Sequence, residues 1–158
     1  MSGTMANPPP TWGDPTLTEA EKATLAALCA RMIPASTEFK VPGADDPRIQ
    51  ADIAGSIARD ATSVHNTLAL ADRLAGGSFA ALPVAEQDQV CERLRAEGGV
   101  DLTLTTRIVL QCYYRDDRVM LSLGMEPRPP FPKGHTLPEG DWSLLDPVRE
   151  RGKVWREV

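Results

Sequence analysis

The sequence is short of the side chains from which catalytic and metal sites are usually built. It has only two histidines, His65 in a helical pattern and His135 near the C-terminus. A histidine-based metal site or catalytic triad would need a second cluster of reactive groups, and the sequence offers none. The glycine-rich nucleotide-binding patterns, the hydrolase nucleophile motif and the zinc-protease motif are also missing. We therefore expect no catalytic residue, no cofactor-binding residue and no metal ligand in this chain.

Long apolar runs, clustered basic charge and an export signal are missing as well. No run of about 18 apolar residues occurs, so no segment is expected to span a membrane. The formal net charge is -5 and the basic residues are scattered, which argues against nucleic acid as a partner. Residues 1–10 show no basic region followed by an apolar stretch and no twin arginine. We expect a cytoplasmic protein, with the periplasm as the alternative if a signal was removed or the protein is exported with a partner.

Disulfide bonds are not indicated by the three cysteines, Cys29, Cys91 and Cys112. An odd number cannot be fully paired within one chain, and none forms a C-x-x-C motif. Each stands where a small apolar residue would suit a helix face, so we predict buried, reduced thiols.

Two pairs of adjacent aspartates could act as acid and base or bind a cation, but both have simpler interpretations. In Asp45-Asp46, the second residue precedes Pro47 and is better explained as a helix cap. Asp116-Asp117 lies between two arginines, which predicts ordinary ion pairs. Neither pair has the spacing of a calcium-binding loop.

The middle of the chain has apolar residues at helical spacing. Thr18 and Glu21 have the spacing of a capping box at the start of the first helix, and Pro34 ends that helix. A second helical register runs from Pro47 to Gly76, and we predict a break in it near residues 59–62.

Two further helices are predicted before the C-terminal segment. One opens at Pro83 and ends at Gly98-Gly99, and a last, most apolar helix runs from Leu102 to Gly124 and is expected to be buried on all sides. Residues 100–109 are the one stretch that could instead be a strand, although no sustained alternation of apolar and polar residues occurs. We predict an all-α fold, a small bundle of about five helices.

The two ends of the chain are rich in proline and tryptophan. All three tryptophans and ten of the fourteen prolines lie in the first 15 and last 33 residues. We predict an extended arm at residues 1–16, a helical domain at 17–124 and an irregular tail at 125–158, with a short helical turn near 144–151. Ordering such a tail costs about 1–2 kcal/mol per residue in backbone entropy, which its few apolar side chains cannot offset alone. We therefore interpret residues 125–158 as a partner-docking tail. The side chains predicted to contact the partner are Trp142, Leu144, Leu145 and Trp155, together with Phe131, Tyr114 and Trp12.

The order of these segments resembles the gluconate 2-dehydrogenase subunit 3 family, the small subunits of flavin-dependent dehydrogenases. The similarity covers most of residues 17–158 and depends on the order of several short pieces. These pieces are LTEAE at 17–21, LCARMIP at 28–34, FAALP at 79–83, YYRDDRV at 113–119 and WSLLDPV at 142–148.

The resemblance implies an all-helical subunit that holds no flavin of its own and is needed for folding, stability or export of its partner. That partner would be a large FAD-containing subunit of the glucose–methanol–choline oxidoreductase group, which oxidises an alcohol or a sugar. The two chains would form a hetero-oligomer. Many relatives carry a twin-arginine signal on the small subunit, and this sequence departs from them in having none.

Two other functions fit the sequence. The chain could be a small helical enzyme or ligand-binding domain whose tail closes a pocket near Tyr113, Tyr114 and His135. It could also be a helical homodimer without an enzyme partner.

Overall fold

The computed structural model describes residues 14–127, 134 and 138–153, and these residues confirm the predicted all-α fold. The chain divides into two compact units, Met1–Pro127 and Arg128–Val158. Over the described ranges there is no strand, and the only bridge joins Ser36 to Val41. The helices are α1 (Glu19–Met32), α2 (Pro47–Ser56), α3 (Ala61–Ala75), α4 (Val84–Glu97), α5 (Gly99–Tyr114) and α6 (Asp117–Ser122) in the first unit and α7 (Asp146–Glu150) in the second.

The start of α1 confirms the predicted capping box. The Thr18 hydroxyl accepts from the Glu21 amide at 3.2 Å, and the Glu21 carboxylate accepts from the Thr18 amide at 2.9 Å. The helix ends at Met32, and Ile33 takes a non-helical conformation before Pro34. Both ends of α1 are therefore set by local sequence.

The predicted interruption between α2 and α3 is also confirmed. Asp46 caps α2 through the Arg48 amide at 3.0 Å, and the helix ends at Ser56. A short 3₁₀ turn at Ala58–Asp60 then leads into α3. The apolar register survives the turn, because Ile57 and Val64 are both buried.

The prediction of one continuous helix from Leu102 to Gly124 is wrong, because the chain breaks between α5 and α6. Asp116 leaves the helical conformation and caps α6 by accepting from the Arg118 amide at 2.9 Å. The Arg118 guanidinium also bonds the carboxylate of Asp46, the cap of α2, at 2.8 Å. The first unit therefore has six helices in its described part, one more than predicted. The stretch 100–109, which could have been a strand, is helical.

A single residue joins α4 to α5. A Cβ atom on Gly98 would come within 2.8 Å of the Leu94 carbonyl oxygen and 2.6 Å of the Leu102 Cβ atom. Glycine at this position therefore permits the close approach of the two helix ends.

The core lies in the first unit, between α3 and the helices around it. Phe79, in a 3₁₀ turn before α4, is fully buried, and its amide donates to the Asp72 carboxylate at 2.9 Å. The Thr24 hydroxyl donates to the same carboxylate oxygen at 3.0 Å, which ties α1 to α3. The largest fully buried aliphatic side chains are Ile49, Ile53, Ile57, Leu68, Val64 and Val109.

The described part of the second unit contains two short helical elements. A 3₁₀ turn at Trp142–Leu145 leads directly into α7, which confirms the predicted short helical turn near 144–151. None of its described residues is buried.

Candidate functional site

The exposed apolar side chains of the second unit form the first candidate site. Trp142 is 66% exposed and Leu144 is 74% exposed, while Leu145 and Val148 are 41% and 55% exposed. We call these four residues the Trp142 segment. An exposed tryptophan next to three exposed aliphatic residues is unusual in a stretch of seven residues, because such side chains gain free energy on burial.

The backbone of the Trp142 segment is held by short-range hydrogen bonds. The Asp141 carboxylate accepts from the Ser143 amide at 3.0 Å and from the Ser143 hydroxyl at 2.6 Å. These bonds lower the pKa of Asp141 below its ordinary value. At the other end, Arg149 donates to Asp146 at 2.9 Å across one turn of α7. The segment therefore presents its apolar side chains on a backbone that its own polar residues define.

The other residues that we predicted to contact a partner do not belong to the Trp142 segment. Tyr114, the last residue of α5, is 53% exposed and its ring meets the edge of the Tyr113 ring. Trp12, Phe131 and Trp155 lie outside the described residues, as does His135.

Sequence reasoning missed a further set of exposed apolar residues around α6. Leu121 is 61% exposed and Leu123 is 57% exposed, although both belong to the helix that we expected to be buried on all sides. Val100 and Leu110 on α5 are also exposed. The break at Asp116 starts α6 as a separate helix, and its local signal is an aspartate at the N-cap, which we interpreted only as a partner in ion pairs.

A cavity of about 400 Å³ in the first unit is the second candidate site. We call it the α1/α4/α5 cavity, since most of its wall comes from these three helices. The lining residues are Leu25, Leu28, Cys29, Arg31, Met32, Ile33, Thr67, Cys91, Leu94, Arg95, Leu102, Thr105, Thr106, Val109 and Leu110.

The α1/α4/α5 cavity is not the pocket that we predicted near Tyr113, Tyr114 and His135. Neither tyrosine lines it. Tyr113 is buried, and its hydroxyl donates to the Pro42 carbonyl oxygen at 3.2 Å. This bond occupies the polar group that a ligand in such a pocket would need.

Charged residues meet at the junction of α2, α5 and α6. Arg118 bonds Asp116 at 2.9 Å and Asp46 at 2.8 Å, and these bonds lower the pKa values of both carboxylates below their ordinary range. Arg115 pairs with Asp52 and lowers its pKa in the same way. The predicted pairing of Asp116-Asp117 with the flanking arginines is confirmed for Asp116 with Arg118. Arg115 pairs instead with Asp52, and Asp117 pairs with Arg48, so these contacts connect helices that are distant in sequence.

His65 lies on α3, as its helical pattern predicts, and both of its ring nitrogens have hydrogen-bond partners. Its Nδ1 atom lies 2.5 Å from the Glu21 carboxylate and its Nε2 atom lies 2.8 Å from the Asp14 carbonyl oxygen. The bond to Glu21, followed by the bond to Asp14, raises the pKa of His65 above its ordinary value. His65 therefore joins α3 to the segment that leads into α1.

The cysteines follow the prediction in part. All three are unpaired thiols, and Cys29 and Cys112 are buried. Burial raises the pKa of Cys29 to about 12, so this thiol is unreactive at neutral pH. Cys91 is a correction, because it is only partly buried in the wall of the α1/α4/α5 cavity.

Within the described ranges, no group of three or more histidine, cysteine, aspartate or glutamate residues is arranged to hold a metal ion. No helix there has both the length and the apolar character that crossing a bilayer requires. Comparison of the chain with family models, with curated proteins and with solved structures finds no match.

Proposed function

We propose that this chain is a non-catalytic accessory subunit that stabilises, or helps to fold, the FAD-containing catalytic subunit of an alcohol or sugar dehydrogenase. The observation that carries the proposal is the exposure of the Trp142 segment. Trp142 and Leu144 are more than 60% exposed on a backbone fixed by Asp141 and Arg149. Large apolar side chains displayed on a locally hydrogen-bonded backbone are suited to docking on another protein.

The energetics of the Trp142 segment agree with a docking role. Burial of each exposed aliphatic side chain contributes about 1.5–3 kcal/mol, and tryptophan is the residue type most enriched among interface hot spots. Association costs an estimated 4–15 kcal/mol in lost freedom of motion. Four side chains therefore suffice for an anchor but not for a whole stable interface, and the remaining contacts come from other surfaces.

The identity of the partner follows from the resemblance to the gluconate 2-dehydrogenase subunit 3 family. The Trp142 segment coincides with one of the pieces that carry this resemblance, WSLLDPV at 142–148. Another piece, YYRDDRV at 113–119, coincides with the junction of α5 and α6. Both pieces include exposed apolar or aromatic residues, which favours a shared role in assembly.

The proposal is tested by purifying the tagged full chain from its own cells. We expect a large second chain to co-purify with flavin absorbance and with dye-linked oxidation of an alcohol or sugar. Trp142→Ala combined with Leu144→Ala should reduce the recovered flavoprotein at least about tenfold, because each truncation removes a desolvated contact of over 1 kcal/mol.

Phe39→Ala is the matched control, because Phe39 is also 66% exposed but lies in the loop between α1 and α2. It should leave the recovered flavoprotein unchanged. A co-purified partner without flavin, or a chain that is monomeric in its own cells, would contradict the proposal. Equal loss with the control variant would show that the Trp142 segment is not the docking element.

A further inference from the structure

The α1/α4/α5 cavity has the size and lining of a small-molecule site. Its volume of about 400 Å³ lies within the range of about 300–1,000 Å³ that is usual for ligand pockets. Leucines from all three helices supply its apolar wall, among them Leu28, Leu94 and Leu102. A site of this kind takes a ligand whose body is mostly apolar.

Two of the three threonines that line the cavity, Thr67 and Thr105, are already engaged with the protein. The Thr67 hydroxyl donates to the Ser63 carbonyl oxygen at 2.9 Å, and the Thr105 hydroxyl donates to the Asp101 carbonyl oxygen at 2.9 Å. Such back-bonding within a helix leaves no hydroxyl proton for a ligand. Thr106 also lines the cavity, so polar recognition falls to its hydroxyl and to the charged side chains of the wall.

The charge of the lining is of one sign. Among the described residues that line the cavity, Arg31 and Arg95 are charged and no aspartate or glutamate is present. This is notable in a chain whose formal net charge is -5. The carboxylates nearest to these arginines, those of Asp88 and Glu92, do not line the cavity. The wall itself is therefore complementary to an anion on an apolar body.

The two arginines differ in how closely their N–H donors already approach an acceptor. The Arg95 guanidinium lies 2.7 Å from the Glu92 carboxylate, and both side chains are 70% exposed. The Arg31 side chain is only 24% exposed, and its contacts within the described ranges are long: 3.6 Å to Asp88 and 3.5 Å to the Ala30 carbonyl oxygen. Because a guanidinium has five N–H donors, Arg31 has capacity for a bidentate bond to an added carboxylate.

We propose that the α1/α4/α5 cavity binds a single-chain amphiphile, with its apolar body against the leucines and its carboxylate on Arg31. The site lies within the first unit and does not depend on the proposed docking role. Its function would be recognition of an apolar carboxylic acid.

The charge requirement is tested by calorimetric titration of the full chain with decanoate and with decanol, each below the concentration at which it aggregates. Decanoate should bind at least about tenfold more tightly than decanol, because only the anion forms charge-assisted hydrogen bonds with Arg31. Arg31→Gln should remove this preference, whereas Arg31→Lys should keep part of it. Arg73→Gln is the control, because Arg73 is exposed and does not line the cavity.

The location is tested through Cys91, which lines the cavity and is only partly buried, while Cys29 and Cys112 are buried. Saturating decanoate should slow the reaction of Cys91 with a thiol reagent, and alkylated Cys91 should weaken decanoate binding. This measurement uses the unsubstituted chain and stands even if the Arg31 variants fail to fold.

Three results would each overturn the proposal. They are no heat of binding with decanoate, equal affinity for decanoate and decanol, and unchanged Cys91 reactivity in the presence of bound decanoate. None of these results bears on flavoprotein assembly, so the proposed function would be judged separately.

Discussion

Phe79 in the first unit is fully buried, whereas Trp142 in the second unit is 66% exposed. The same contrast holds throughout. The first unit has a core of nineteen buried apolar residues between Leu17 and Val119, and the second unit has no buried residue in its described part. The second unit is a chain of 31 residues, from Arg128 to Val158, and a segment this short cannot enclose a core. Its order comes from hydrogen bonds between near neighbours, such as Asp141 with Ser143.

The difference teaches that burial and local order are separate sources of structure. In the first unit, tertiary packing holds the helices together, and side-chain N-caps also fix the starts of α1, α2 and α6. In the described part of the second unit no residue is buried, and the apolar side chains of the Trp142 segment remain exposed. This is the arrangement expected of a docking segment, which must keep its contact groups exposed until a partner covers them.

Phe79→Ala has the largest expected effect. It removes a fully buried ring and should lower the free energy of unfolding by about 3–5 kcal/mol, measured by urea denaturation with circular dichroism. Phe39→Ala changes the same residue type at 66% exposure and should cost about 0.5 kcal/mol or less. Similar losses from the two variants would be inconsistent with a core centred on Phe79.

Asp116→Ala tests the junction of α5 and α6. The carboxylate is 5% exposed, caps α6 and bonds Arg118, so its removal should cost about 2 kcal/mol. Asp117→Ala is the matched control, because that side chain is 58% exposed and its ion pair with Arg48 is long at 3.8 Å. It should cost about 0.5 kcal/mol or less. If Asp116→Ala left stability unchanged, the cap and the ion pair would not hold the junction together.

Sequence reasoning predicts the features that depend on neighbours along the chain. Thr18 and Asp46 cap their helices as their spacing indicates, and the short turn near residue 144 is where it was predicted. The break at Asp116 was missed although its cap is local, since the Asp116 carboxylate accepts from the Arg118 amide two residues further on. The helical spacing of apolar residues, taken by itself, continues past Asp116.

The candidate sites divide in the same way. The Trp142 segment was found because proline and tryptophan are concentrated in the tail. The α1/α4/α5 cavity was not predicted, since its wall combines residues from four helices whose spacing depends on side-chain packing. The exposure of Leu121 was likewise not predicted, since α5 and α6 were treated as one helix.

His65 connects α3 with Glu21 of α1 and with Asp14, and these two hydrogen bonds should make stability depend on pH. The folded-state pKa of His65 is raised, so its contribution is fully present below the unfolded value of about 6.5 and is lost as pH rises through the folded pKa. The unfolding free energy of the natural chain should exceed that of His65→Gln by about 1 kcal/mol near pH 5.5. The difference should shrink towards zero above the folded pKa.

The control for this experiment is Glu21→Gln. Although burial opposes it, hydrogen bonds from Thr18 and His65 hold the pKa of Glu21 below its ordinary value, so this carboxylate is charged at pH 5.5. In the double variant Glu21→Gln with His65→Gln, the free energy of unfolding should show no pH dependence that comes from the interaction of these two side chains. If the stability difference between the natural chain and His65→Gln grew with rising pH, that result would contradict the assignment of the pH dependence to His65.

Trp142→Ala has the smallest expected effect on the isolated chain and completes the comparison with Phe79. Since the indole is 66% exposed, its loss should change the free energy of unfolding by about 0.5 kcal/mol or less. The same substitution should weaken flavoprotein recovery strongly under the proposed function, because a side chain that costs nothing to remove alone can still be a hot spot in an interface. A loss of stability of about 2 kcal/mol in the isolated chain would mean that the indole is sheltered within this molecule, and the docking role of the Trp142 segment would then fail.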